Sequence, residues 1–140
     1  MENIENINFE IKLAGVELLE NKMEEVRSPF PKGYTFNYNI KVELKHSIDI
    51  KITVAITSVD ILSDDSQTKF ASIKTACIFQ IPNITNYLDE TTHQIELPVV
   101  TNQMLSSIAI STTRGIMFAE FRGTGLHHAF LPIIDPRQLK

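Results

Sequence analysis

The stretch from Tyr34 to Ile56 reads YTFNYNIKVELKHSIDIKITVAI, and its alternation decides the fold. Its even positions are apolar almost throughout: Tyr34, Phe36, Tyr38, Ile40, Val42 and Leu44, then Ile48, Ile50, Ile52, Val54 and Ile56. Only His46 interrupts them. The odd positions carry Thr35, Asn37, Asn39, Lys41, Glu43, Lys45, Asp49, Lys51 and Thr53. Side chains on a strand alternate faces with period two, so one face is greasy and the other wet. This is the pattern of antiparallel sheet covered on one side. The stretch exceeds an ordinary strand of about 5–6 residues. The reading therefore places a hairpin bend at His46-Ser47, with a single strongly coiled strand as the alternative.

Before this ribbon, apolar residues fall at odd positions from Phe9 to Leu13, then at even positions at Val16 and Leu18. The switch at Ala14-Gly15 predicts a bulge, because glycine inside a strand often marks one. Asn8 to Val26 thus reads as a long, kinked first strand. Ser28-Pro29-Phe30-Pro31-Lys32-Gly33 reads as a loop, since proline and glycine break pairing. After the ribbon, apolar parity flips to Val59 and Ile61, which predicts a second bulge. Ser63-Asp64-Asp65-Ser66 reads as a turn that Asp and Ser side chains cap. Lys69 to Ile81 is the next strand, with Ala71, Ile73, Cys77, Phe79 and Ile81 inward and Pro82 as its stop. Asn83 to Glu96 is a polar connection with a short helix near Ile84–Leu88.

The period then changes. Leu105, Ile108, Ala109, Thr112, Ile116 and Ala119 follow helical spacing, which predicts an amphipathic helix from near Pro98 to Phe121. Pro98 suits its first turn and Gly123 its stop. Gly115 inside it predicts a close approach by another backbone. Gly123-Thr124-Gly125 is a turn, His127–Leu131 is strand or helix, and Pro132 to Pro136 is a rigid exit before a last half-turn. Strands first and a long helix last make an α+β chain with the helix segregated to one face.

The chain has 140 residues, 43 % of them hydrophobic and 21 % charged, with a net charge of −4. That length and balance predict one domain over 1–140 with a core of its own. An acidic balance argues against nucleic acid as a partner, since phosphate binders carry basic patches. No apolar run of about 18 residues is present, so no membrane span is expected. The start, MENIENINFEIK, lacks the basic and apolar regions of a signal peptide. With Cys77 as the single cysteine, a reducing cytoplasmic setting is expected.

Chemistry is sparse. No nucleophile elbow, phosphate-binding loop or zinc-protease motif occurs, so no catalytic residue, metal or cofactor is expected and the chain reads as a non-enzyme. Cys77, on an apolar strand face, reads as a buried thiol. His127-His128 reads as surface histidines, because adjacent side chains point apart in strand or helix and no further ligand stands at metal spacing. Asp64-Asp65 is explained by its turn, and the Asn83-Ile84-Thr85 sequon is idle without export. One helix covers a strip only about 10 Å wide, and a long multi-strand sheet is wider, so either subunits associate or apolar grooves stay open.

Two segments, Leu105-Ser106-Ser107-Ile108-Ala109-Ile110-Ser111-Thr112-Thr113-Arg114-Gly115 and Leu131-Pro132-Ile133-Ile134-Asp135, together with the order of elements, resemble the SecB family of export chaperones. Cys77-Ile78-Phe79-Gln80-Ile81 is similar to that family's fourth strand, without its glycine. The resemblance implies a four-stranded antiparallel sheet with the long C-terminal helix packed on one face, in a homotetramer, a dimer of dimers with helices between two sheets. It implies a holdase that binds unfolded polypeptides for protein export and translocation, or one that serves an antitoxin. It also implies SecA as a partner, docked on an acidic sheet face. Here the wet face mixes Lys41, Lys45 and Lys51 with Glu43 and Asp49, and the chain ends without the family's longer tail, so a client is the stronger expectation. The expected client contacts are Phe36, Tyr38, Ile48, Ile50, Phe70, Phe79, Phe118 and Phe121. A small-ligand domain with its pocket between helix and sheet is the alternative from another class.

Overall fold

The computed structural model describes residues 11–24 and 30–138. Four strands, β1 (Lys12–Met23), β2 (Asn37–Ser47), β3 (Ile52–Leu62) and β4 (Lys69–Gln80), form one sheet in the order β1-β4-β3-β2. All neighbours are antiparallel. A 3-10 turn at Ile84–Tyr87 and a small hairpin of β5 (Leu88–Asp89) and β6 (Gln94–Ile95) lead to α1 (Val99–Glu120). The helix packs mainly on β3, β4 and β2. The expected architecture is therefore present.

The expected kink in β1 is there: its pairing with β4 shifts between Leu13 and Gly15, and again between Leu18 and Glu20. Without a Cβ, Gly15 leaves room for Ile78, whose Cδ1 would lie 3.4 Å from one. Of the predicted strand, Asn8–Glu10 and Glu25–Val26 lie outside the described residues.

The ribbon needs three corrections. His46 and Ser47 are not the bend; they sit in β2 opposite Thr53 and Ile52. The turn is Ile48 to Lys51, and Lys51 takes the left-handed conformation there, φ 55°. The single coiled strand is thereby excluded. Because the turn has an even number of residues, every β2–β3 pair joins an even position to an odd one, from Tyr38 with Ile61 to His46 with Thr53. The even positions therefore do not share one face. Those of β2 look toward the helix, whereas Ile52, Val54 and Ile56 of β3 look away from it. Nor is there a bulge after Ile56: the register with both neighbours runs unbroken to Ile61. Thr53, Ala55, Thr57, Val59 and Ile61 are simply the buried face of one strand. β4 behaves as its sequence reads, with Ala71, Ile73, Cys77 and Phe79 buried.

The helix is also turned from its expected orientation. Its buried residues are Leu105, Ser106, Ala109, Ile110, Thr113 and Met117, a stripe displaced by about one residue from the predicted one. Ile108 and Ala119 of that prediction are exposed. Among the described residues, apart from its two chain neighbours and the helix's own backbone, no atom lies within 4 Å of where a Cβ on Gly115 would stand, so the close approach expected there does not occur among them. Gly123, φ 76°, follows the helix as expected. His127–Leu131 is neither strand nor helix; it continues the turns after α1.

The interior is divided. One cluster gathers Phe36, Val59, Ile61, Ile73, Met117, Phe121 and Leu126. The other gathers Ala55, Cys77, Phe79, Ile81, Leu97 and Leu105. Between them runs a row of threonines. Thr57 and Thr75 face each other across β3 and β4, and both are fully buried. The Thr113 hydroxyl donates to the Ala109 carbonyl at 2.7 Å, so at the 2.8 Å contact between the two hydroxyls Thr75 donates to Thr113. The Thr57 hydroxyl has no partner among the described residues.

Candidate functional site

The strand order makes the site. β1 and β2 are consecutive in the chain but lie at opposite edges, so their connection leads from one edge of the sheet to the other. The described end of this crossing is aromatic. Phe30 stands 4.8 Å from Tyr34 and 4.8 Å from Phe36, ring centre to ring centre. Phe70, from the start of β4, adds a ring 5.0 Å from Phe30. Edge-on and tilted packing at these distances is favourable and rigid. Two side chains clasp the crossing to the β3–β4 turn. Tyr34 Oη accepts from the Asp64 backbone N–H at 3.1 Å, and Asn37 Nδ2 donates to the Asp64 carbonyl at 2.8 Å. The turn itself is capped as its sequence predicts. Ser63 Oγ donates to Asp65 at 2.6 Å, the chief reason the Asp65 carboxyl lies below its usual range.

Opposite the crossing stands the turn after α1. Thr124 Oγ1 donates to the Phe121 carbonyl at 2.7 Å and accepts from the Leu126 N–H at 3.1 Å. The chain then runs back along the helix, and Arg114 straps it there. Its Nε donates to the Leu131 carbonyl at 3.0 Å and its Nη2 to the Pro132 carbonyl at 2.8 Å. Between crossing and turn lies an open pocket of about 560 Å³, lined by Phe30 to Tyr34, Phe36, Gly125, His127 and His128. Its size is that of an ordinary ligand or peptide site. It is a surface feature. The space between helix and sheet, where the small-ligand alternative put its pocket, is filled by buried side chains.

The expected contact residues scatter. Phe36 lines the pocket, and Tyr38 and Phe70 pack half-buried beside it. Burial pushes the Tyr38 phenol up to about 12. Ile48 and Ile50 are exposed, Ile50 at 66 %, but they belong to the β2–β3 turn. That turn lies a whole strand away from the pocket, roughly 35 Å at the usual rise per residue. Phe118 is exposed on the helix and stacks on Phe130, centroids 6.2 Å apart. Phe79 and Phe121 are 1 % exposed; own-chain packing occupies them, and a client reaches neither without unpacking the core. The sequence reading missed Phe30, Lys32 and the His127-His128 turn. Phe30 stands between two prolines, and that run was read only as a break in pairing. The histidine rings do not diverge as expected; they lie 3.8 Å apart, because the turn places adjacent side chains together. No group of three His, Cys, Asp or Glu among the described residues is placed to hold a metal.

Apolar surface also lies open elsewhere. The helix-side face of β1 carries Leu13, Val16, Leu18 and Met23, opposite Phe79, Cys77, Thr75 and Ala71, and all four are exposed, Leu13 at 49 %. On α1, Val100, Met104, Ile108 and Phe118 are exposed as well. The far face of the sheet has Lys41, Glu43 and Lys45 at its β2 margin and Ile52, Val54, Ile56 and Ile78 at its centre. No helix among the described residues is long and apolar enough to cross a membrane.

No protein-family model matches the chain, and no curated protein matches it in sequence. Among solved structures, a SecB-like chaperone of Mycobacterium tuberculosis, in complex with a ChAD peptide from the HigA1 antitoxin, is similar in fold. Its TM-score is 0.59 at 12 % identity, over 89 % of this chain and 90 % of that chain. The four-stranded antiparallel sheet with one long helix is thus an architecture that this chain shares with a SecB-like chaperone.

Proposed function

We propose that this chain is a SecB-like holdase that keeps unfolded polypeptides from aggregating. The observation that carries the reading is the aromatic pocket between the strand-crossing connection and the turn after α1. It is open, largely apolar and walled on one side by packed aromatic rings. Burying client side chains there gains about 25 cal/mol per Å² of apolar surface without demanding one sequence. Phe30, Tyr34 and Phe36 form the primary contact, with Tyr38 and Phe70 supporting it. Phe118, Ile48 and Ile50 extend the surface for long clients.

The second part of the proposal is assembly. The uncovered face of β1 and the α1 stripe of Val100, Met104 and Ile108 are the parts that sister chains cover, in a dimer of dimers, while Phe118 stays outside that contact. Gly115 lies on that outer side with open space before it, so a partner helix can come close. Export and antitoxin service use the same binding chemistry. The fold neighbour seen with an antitoxin peptide favours the second, and the mixed charge at the β2 margin gives no support to SecA docking.

The test is aggregation of a reduced, unfolded model protein, followed by light scattering. Suppression at stoichiometric amounts is expected, and it should fade in Phe30→Ser. An unchanged aggregation rate at a twofold excess of the chain would end the holdase reading. Sedimentation tests the assembly, and a strict monomer at micromolar concentration would contradict it.

A further inference from the structure

We infer that the pocket selects short apolar segments flanked by carboxylates, and that Lys32 sets this preference. The inference rests on the pocket being a polypeptide site and adds which polypeptides it takes. The floor is apolar, with Phe30, Tyr34 and Phe36, and a client residue that enters it must be apolar too. The rim is different. Lys32 is exposed there, and the two histidines stand across from it. No Asp or Glu is among the lining residues. Asp64, which contacts Tyr34, does so at the far hydroxyl end of that ring. The Lys32 ammonium is therefore the one permanent charge among the described lining residues. A segment seated on the floor carries its flanking residues past this rim. A flanking carboxylate gains an ammonium partner there, whereas a flanking lysine meets a like charge.

The chain as a whole is acidic, net −4, so its long-range field opposes acidic clients. At about 0.15 M salt that field is screened beyond roughly 8 Å, whereas a contact at the rim survives. Exposed ion pairs are worth two- to fivefold in affinity. Attraction on one side and repulsion on the other should separate acidic from basic flanks by about tenfold.

The experiment uses three fluorescein-labelled peptides with one Leu-Ser-Phe-Ser-Leu centre and aspartate, serine or lysine flanks. Their Kd values are measured by fluorescence anisotropy on the full chain at 150 mM salt. Aspartate flanks should bind tightest and lysine flanks weakest. Lys32→Glu should reverse the order, and Lys32→Gln should level it, a milder change that serves if the first variant folds poorly. Equal affinities, tighter binding of lysine flanks, or an order indifferent to both variants would overturn the charge preference and leave the holdase reading standing. Absence of binding by all three peptides would overturn both.

Discussion

At β2 the sheet ends in a strand whose helix-side residues, Tyr38, Ile40, Val42 and Leu44, are tucked against the core. Its other face offers Lys41, Glu43 and Lys45 to water. At β1 the sheet ends in a strand that the helix hardly reaches. A hydrogen bond from Asn21 to Glu120 at 3.2 Å ties the two, and Leu13, Val16, Leu18 and Met23 stay open. Charged residues on an edge strand discourage pairing with other chains. Both edges carry them on the far face, Lys12, Glu17 and Lys22 on β1 as Lys41, Glu43 and Lys45 on β2. The edges therefore differ on the helix side, where only β1 is open. Two bulges are its one departure from a flat edge. The difference teaches which edge the fold finishes by itself: the helix side of β2 is covered within the molecule, whereas that of β1 is open, and it is there that we propose a sister chain packs.

The same substitution at the two edges should have opposite readouts. Leu44→Asp on β2 puts a carboxylate against the second core cluster and should lower stability by about 3 kcal/mol, seen as an earlier midpoint in urea. Leu18→Asp on β1 should leave that midpoint within about 0.5 kcal/mol of the parent while reducing the sedimenting species to a monomer. If Leu18→Asp unfolds the chain instead, β1 is part of the core and the comparison breaks. Removing the charges of β2 comes next in size. The triple change Lys41→Thr, Glu43→Thr, Lys45→Thr should produce concentration-dependent scattering on warming, with little change in the urea midpoint. Scattering no greater than the parent's would show that charge is not what protects this edge.

The smallest effect sits at the end of β2. Burial holds the His46 imidazole below its ordinary value of 6.5, and its Nδ1 lies 2.7 Å from Thr53 Oγ1. The unfolded chain therefore binds the proton more readily than the folded one. Its contribution is full above the ordinary histidine range and is lost as pH falls through the lowered value. The melting temperature should drop slightly between pH 7.5 and 5.5, and His46→Gln should remove part of that drop. A melting temperature for the parent that rises on acidification over the same interval would contradict the sign.

Most of the sheet was legible because burial imposes period two. β4 reads directly, since one of its faces is wholly inside. The first bulge was legible from Gly15. The ribbon misled because β3 is apolar on both faces: Val54 and Ile56 continue the even run of β2 although they point the other way. Alternation reports which residues share a face only within one strand, and the turn between strands resets it. His46 looked like a break because it is polar, but a hydroxyl on the facing strand satisfies it. The helix stripe slipped by about one residue because its true inward face includes Ser106 and Thr113, whose polarity hid them. The pocket was half legible: Phe36, Tyr38 and Phe70 stood out by pattern. Phe30, Lys32 and the histidine turn meet only through the crossing from one sheet edge to the other, which no local spacing records.

The threonine row at the centre has an engineering consequence. Thr57 Oγ1 is buried and bonded to nothing among the described residues, a state that typically costs about 1–3 kcal/mol. Valine has nearly its shape and no hydroxyl. Thr57→Val should raise the melting temperature without changing a single surface atom. It would also fuse two hydrophobic clusters that now meet across a polar boundary. If the clusters loosen as separate units, the variant is a lock. It would hold the half beneath the pocket to the half beneath the helix's N-terminal turns, and any task that needs them to part would slow.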